Sequence, residues 1–318
     1  MDKRKFKING IVFEITLNSN KYKVSDLFNE PQPYNLYINY HIVECEEEPD
    51  EKIIINNSTD TKVELIENGI IINTDIKKLI TKDYNFQFSL FGNKGIVQKY
   101  ILHIFETKYK SIIFHGCALK NDTNEIIIGL GGSGSGKSML INIALQNGWK
   151  LISTEQVEIN SEMYIIKSNI YDNVSPLSEK IFSENLPKAI ILEDKRLIEP
   201  IGQKIFVDLT QYQMKEDKIK IDTSKLTIIN VNFNGKGESI LDIEDKDYIL
   251  RLLQISSSEK ISFPAIIRND LIDFTYNGNP KLRQDIINKL ISCDSKKIML
   301  SNGFDGFNLF FNKKGGKK

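Results

Sequence analysis

Short runs in which apolar and polar residues alternate, or in which β-branched residues cluster, occupy the first 92 positions and predict strands. They are Phe6-Lys7-Ile8, Ile11-Val12-Phe13-Glu14-Ile15, Tyr37-Ile38-Asn39-Tyr40, Ile53-Ile54-Ile55, Val63-Glu64-Leu65-Ile66 and Phe86-Gln87-Phe88-Ser89-Leu90. Asn68-Gly69, between Val63-Glu64-Leu65-Ile66 and Ile70-Ile71-Ile72, predicts a two-strand hairpin. The period then changes. Ile96, Val97, Tyr100, Ile101, Ile104 and Phe105 recur at helical spacing, which predicts a helix with one face in the core. Ser111-Ile112-Ile113-Phe114-His115-Gly116-Cys117-Ala118-Leu119 reads as a buried strand, Asn121-Asp122 as a turn, and Glu125-Ile126-Ile127-Ile128-Gly129-Leu130 as a second strand. A helix follows from Lys137 through Met139, Leu140, Ile143, Ala144 and Leu145, and Asn147-Gly148 ends it. Further strands are expected over 150–153, 157–159, 190–192, 205–207 and 226–231. Two late helices are expected, through Tyr248, Ile249, Leu252 and Leu253 and through Leu282, Ile286, Ile287 and Leu290. The pattern therefore predicts a mixed α/β protein: a β-rich region over 1–92, a second domain over 93–312 and a frayed basic tail over 313–318.

Between the second buried strand and its helix lies Gly131-Gly132-Ser133-Gly134-Ser135-Gly136-Lys137-Ser138, a full match to G-x-x-x-x-G-K-[ST] in the strand-loop-helix context the motif requires. Glycines let the backbone wrap closely around an anion, and the start of the following helix adds unpaired N–H groups and a positive dipole end. Gly131 to Ser138 and Met139 are the expected nucleotide contacts: Lys137 would reach the β- and γ-phosphates, and Ser138 would offer its hydroxyl to Mg²⁺. A Gly/Ser linker has the same composition, but linkers are not normally wedged between a buried strand and an amphipathic helix.

Composition narrows the partners. The 318 residues carry 42 basic and 42 acidic side chains, so the whole-molecule field favours neither nucleic acid nor an acidic membrane. No apolar run reaches the length of a transmembrane helix, and the start, Met1-Asp2-Lys3-Arg4-Lys5-Phe6-Lys7, leads into strand-like alternation, so a cytoplasmic protein is expected. Cys45, Cys117 and Cys293 are far apart and suit reduced thiols, and His41, His103 and His115 are too few for a histidine-rich metal site. Glu46-Glu47-Glu48-Pro49-Asp50-Glu51 reads as a solvated loop.

Two flanks of the loop carry a resemblance. His115-Gly116 precedes the loop strand, and Asn147-Gly148-Trp149-Lys150-Leu151-Ile152-Ser153-Thr154-Glu155-Gln156-Val157-Glu158-Ile159 follows its helix. Together with Gly129 to Ser138 they resemble the HPr kinase/phosphorylase catalytic domain, over residues 110–159 and more loosely beyond. The layout before His115 looks like the shorter relatives of that family, the peptide-tailoring and serine kinases. The resemblance implies a P-loop core of the phosphoenolpyruvate carboxykinase-like type, built on a mixed sheet. It also implies ATP and Mg²⁺ as cofactors and a peptide, protein or small-molecule hydroxyl as acceptor; the oligomeric state stays open. His115 takes the position of the family's strand histidine, where it would orient a phosphate or the acceptor. The family's paired aspartates, which activate the hydroxyl and hold the metal, align with Thr154 and Glu155. Thr154 lacks a carboxylate, which leaves Glu155 as the catalytic or metal acid, with Ser138 as its companion at the metal. Either the chain is a kinase with a rearranged acid, or it is a nucleotide-binding module with little or no transfer. A third reading is a generic P-loop ATPase whose metal acid is Glu193 or Asp194, at the end of the apolar run Ala189-Ile190-Ile191-Leu192. Lys195, Arg196 and Lys204 are candidate phosphate contacts.

Overall fold

The alternation near the start of the chain builds one five-stranded sheet. Strands β1 (Asp2–Ile8) and β2 (Ile11–Asn18) form an antiparallel hairpin; β3 (Glu51–Asn57), β4 (Lys62–Ile66) and β5 (Gly69–Thr74) complete the order β1-β2-β3-β5-β4. Two of its neighbour pairs, β2 with β3 and β3 with β5, are parallel. The period of two sends Ile53 and Ile55, and Ile70 and Ile72, into the core, while Phe6 stacks on Phe13 with ring centroids 5.2 Å apart. The expected hairpin forms with Glu67-Asn68 as its turn, because Gly69 already pairs with Ile66 inside β5. There a side chain would collide with the Lys52 carbonyl of the adjoining strand, so this glycine serves strand packing rather than the turn.

The computed structural model describes residues 1–8, 10–27, 47–80, 90, 95–168, 171–174, 191–199, 202–232, 238–259, 265–267, 270–272, 274, 278–292, 296–302, 306–307 and 309–311. The expected strand at 37–40, most of the one at 86–90, the tail at 313–318, and His41, Cys45 and Cys293 lie outside them. Two compact units divide the chain, Met1–Lys108 with Lys260–Gly278 and Tyr109–Glu259 with Asn279–Lys318. The first unit also holds helices α1 (Ile76–Ile80) and α2 (Ile96–Thr107), the latter beyond the expected boundary at 92.

The second unit carries the phosphate loop. It begins with β6 (Ser111–Lys120), β7 (Ile126–Leu130) and α3 (Lys137–Gln146), followed by β8 (Lys150–Ser153), β9 (Gln156–Asn160) and β10 (Tyr164–Ile166). Next come β11 (Tyr171–Val174), β12 (Ile191–Glu199), β13 (Gly202–Asp208), β14 (Lys218–Lys220), β15 (Leu226–Asn232), β16 (Glu238–Asp242) and α4 (Lys246–Ser258). The chain then gives the first unit the antiparallel pair β17 (Ala265–Ile267) and β18 (Asp270–Ile272), before α5 (Pro280–Ser292) and β19 (Lys296–Asn302) complete the second. The main sheet runs β14-β10-β9-β6-β7-β15-β19-β16, with β8 also on β6; β7-β15 and β15-β19 are parallel and β6-β7 antiparallel, so the sheet is mixed. A separate sheet has the order β11-β13-β12.

Alternation sorts the main sheet's side chains onto two faces. Cys117, Leu119, Ile127, Ile229 and Val231 pack with Leu140, Ile143 and Ala144 of α3, while Ala118, Ile126, Ile128 and Ile228 pack with Ile249 and Leu253 of α4 and Ile286 and Ile287 of α5. Each fully buried Leu or Ile in these layers stabilises the unit by roughly 1.5–3 kcal/mol. Strand β6 is buried along nearly its whole length, which fixes His115 at the centre of a rigid layer. Gly116, beside it, fits because a side chain there would come within 2.6 Å of the Gly129 carbonyl oxygen on β7.

Candidate active site

The P-loop leaves β7 at Leu130 and enters α3 at Lys137. Gly136, the residue before the helix, has φ 100°, a left-handed conformation that a side chain would strain. The Lys137 ammonium is folded over this loop and donates to the carbonyls of Gly131 at 2.8 Å and Gly132 at 2.9 Å. The Ser135 hydroxyl oxygen lies against Gly131, buried and without a hydrogen-bond partner among the described residues. A glycine-lined bend, a buried ammonium on weak carbonyl acceptors and an orphaned hydroxyl together fit an anion with several oxygens. Gly132, Ser133 and Gly134 are exposed at the tip, whereas the Met139 side chain is buried in the apolar layer with Leu140 and Ile143, leaving its backbone N–H as its only means of contacting a nucleotide.

Ser138, on the first turn of α3, donates its hydroxyl to Asp172 Oδ1 at 2.9 Å. Asp172 is 3% exposed and sits on β11, opposite Val207 of β13. Among the described residues no three His, Cys, Asp or Glu side chains converge into a cage, so a metal here would be held in the manner of Mg²⁺: one or two protein oxygens, phosphates and water. The residues present fit that mode.

His115 and Glu155 are brought together. The antiparallel pairing of β6 with β8 shifts register at Ala118 and Leu119, and β9 resumes it at His115 opposite Gln156. The bend at Thr154 and Glu155 falls in this break, and the Gly116 N–H donates to the Glu155 carbonyl at 3.4 Å. The Glu155 carboxylate thereby reaches His115 Nε2 at 3.1 Å, and Glu259 reaches Nδ1 at 2.6 Å from the other side. The imidazole is thus held between two carboxylates, Nε2 facing Glu155 and Nδ1 facing Glu259. The α4 end places Glu259: the Ser256 hydroxyl donates to the His115 carbonyl at 2.9 Å, and Arg283 of α5 donates to the Ser257 carbonyl. A carboxylate at a helix C-terminus has the wrong sign for the dipole, and the contact with His115 holds it there.

Cys117 lies on β6 beside Gly116, fully buried. Burial pushes its thiol up to about 12; the Lys137 charge opposes this, and Asp172 and Glu155 add to it. The thiol is thereby held protonated as a packing residue. Thr154 is buried at 1% exposure. No family profile matches the chain, and no curated protein sequence matches it.

Strand β12, which carries Glu193, Asp194, Lys195 and Arg196, belongs to the three-stranded sheet, as does β13 with Lys204; the side chains of these five lie outside the described residues. The parallel neighbour of β7 is β15, whose sequence Leu226–Asn232 contains no acid. Two residues of the site escaped the reading of the sequence. Asp172 stands in the run Tyr171-Asp172-Asn173-Val174, which matches no motif, and Glu259 follows Ser256-Ser257-Ser258 at a helix end that reads as solvated. The one signal available was the sign of Glu259 against its helix dipole.

Proposed function

We propose that the chain is an ATP-dependent kinase of the HPr kinase and phosphoenolpyruvate carboxykinase-like type, moving the γ-phosphoryl group to a hydroxyl. The acceptor class is a serine of a peptide or a small serine-like metabolite. What carries this reading is the acid/base pair His115 and Glu155, 3.1 Å apart, with His115 on β6 beside the strand that leads into the phosphate loop and Glu155 in the bend between β8 and β9. A module that only binds nucleotide has no need of that pair.

In this mechanism the loop backbone and Lys137 hold the β- and γ-phosphates, the ammonium exchanging its two carbonyl acceptors for phosphate oxygens. Glu155 accepts the proton of the acceptor hydroxyl as its oxygen attacks the γ-phosphorus. The bond to the β,γ-bridging oxygen breaks, and Lys137 meets the charge that builds on ADP. His115 fixes the Glu155 carboxylate and is itself fixed by Glu259. Mg²⁺ at Ser138 would supply charge neutralisation on the phosphates. The chain's zero net charge favours this nucleotide and acceptor pairing over a nucleic-acid partner.

The test is transfer of label from [γ-³²P]ATP with Mg²⁺ to serine-containing peptides and free serine, by wild type, Lys137→Ala and Glu155→Gln. Labelled acceptor formed by wild type and lost in both variants supports the kinase. Thr154 favours a second reading, a nucleotide-binding module, and ATP binding with no label on any acceptor would select it.

A further inference from the structure

We infer that Asp172 is the metal-binding acid of this site, acting with Ser138 in place of the acid lost at Thr154. The inference rests on the reading of residues 131–138 as a Mg²⁺-nucleotide loop. In P-loop enzymes the Ser or Thr after the lysine shares the metal with an aspartate delivered by another strand. Here Asp172 Oδ1 is the acceptor for the Ser138 hydroxyl, at 2.9 Å. Magnesium keeps its oxygen ligands about 2.0–2.1 Å away in a near-octahedral shell, so neighbouring ligands stand about 2.9 Å apart. The two side-chain oxygens already have that separation.

Burial argues the same way. Asp172 is 3% exposed on a four-residue strand, and taking a carboxylate out of water costs several kcal/mol before any compensation. Such a cost is met where a cation stands close, as a bound Mg²⁺ would. The strand that delivers it is also distinctive. β11 belongs to the three-stranded sheet, so the acid comes from outside the sheet that holds the P-loop. Glu155 is then released from a double duty: its carboxylate stays with His115 Nε2, 3.1 Å away, as the hydroxyl-activating group.

The test is binding, read without turnover. A fluorescent ATP analogue is titrated onto the full chain in EDTA and in Mg²⁺, and Mn²⁺ bound in the presence of ADP is counted by electron paramagnetic resonance. Wild type is expected to bind nucleotide in both conditions and to hold Mn²⁺ with ADP. Asp172→Asn is expected to keep the EDTA affinity and to bind Mn²⁺ at least about tenfold more weakly, with Asp172→Glu in between. Unchanged Mn²⁺ affinity in Asp172→Asn overturns the inference and leaves the nucleotide reading standing. Loss of nucleotide in EDTA by both variants also overturns it, since Asp172 would then shape the loop. No nucleotide binding by wild type removes the reading beneath it.

Discussion

Each unit buries a charged side chain, Glu51 in the first and Lys137 in the second, and the two are treated differently. In the first, Glu51 is 1% exposed and meets the Lys108 ammonium at 2.5 Å and the Tyr100 hydroxyl, so its charge is answered on the spot. In the second, Lys137 is 8% exposed and its ammonium rests on the carbonyls of Gly131 and Gly132. Among the described residues no carboxylate lies within ion-pairing distance of Lys137. A charge matched by an opposite charge is committed to the fold, because separating the pair leaves an ion uncompensated in low dielectric. A cation held on backbone carbonyls can leave them for phosphate oxygens with little loss. The contrast separates charge that builds structure from charge kept for a ligand.

Variants in the second unit should break function and spare the fold. Glu155→Gln is expected to lower phosphoryl transfer by about 10²–10⁴-fold, the range for a lost general base, with ATP affinity retained in an equilibrium titration. Lys137→Ala should lower transfer by about 10²–10³-fold and weaken ATP binding as well, because its charge meets both ground state and transition state. In the first unit the effect should fall on stability: Tyr100→Phe leaves Glu51 with one fewer donor and is expected to cost about 1–3 kcal/mol in urea unfolding, with nucleotide affinity unchanged. Glu259→Gln sharpens the comparison within the site, since it alters the carboxylate that meets His115 Nδ1; kcat should fall about tenfold with no change in ATP affinity, a split that simple loss of folding would not produce. The smallest effect concerns Cys117. With its thiol pushed up to about 12, it should resist iodoacetamide at pH 8 in the folded protein and react after denaturation, as mapped by peptide mass spectrometry.

What was legible in the sequence was local. The strand, loop and helix from 126 to 146 follow from an apolar run, eight motif residues and a helical period, all within reach of one another along the chain. The same holds for α2, α4 and α5, whose apolar stripes appear at helical spacing. The hairpin turn came out one residue early because Gly69 answers to Lys52 across the sheet, which a turn signal does not encode. The site was legible only in part for a similar reason. His115, Glu155, Lys137 and Ser138 lie in or beside the motif, but Asp172 joins Ser138 across 34 positions and Glu259 joins His115 across 144. Each arrives on an element whose own sequence gives no hint of a partner, β11 at an unremarked polar run and the end of α4 at a charged helix terminus. β16 and β19 are further cases: they find their partners only within the assembled sheet.

The most direct measurement of the central claim is an equilibrium titration of ATP onto the wild-type chain and Lys137→Ala, with circular dichroism to show both folded. The account predicts saturable one-to-one binding by wild type and its loss, by at least about tenfold in affinity, when the ammonium is removed. Equal affinity in the two proteins, or no binding by the folded wild type, would contradict it.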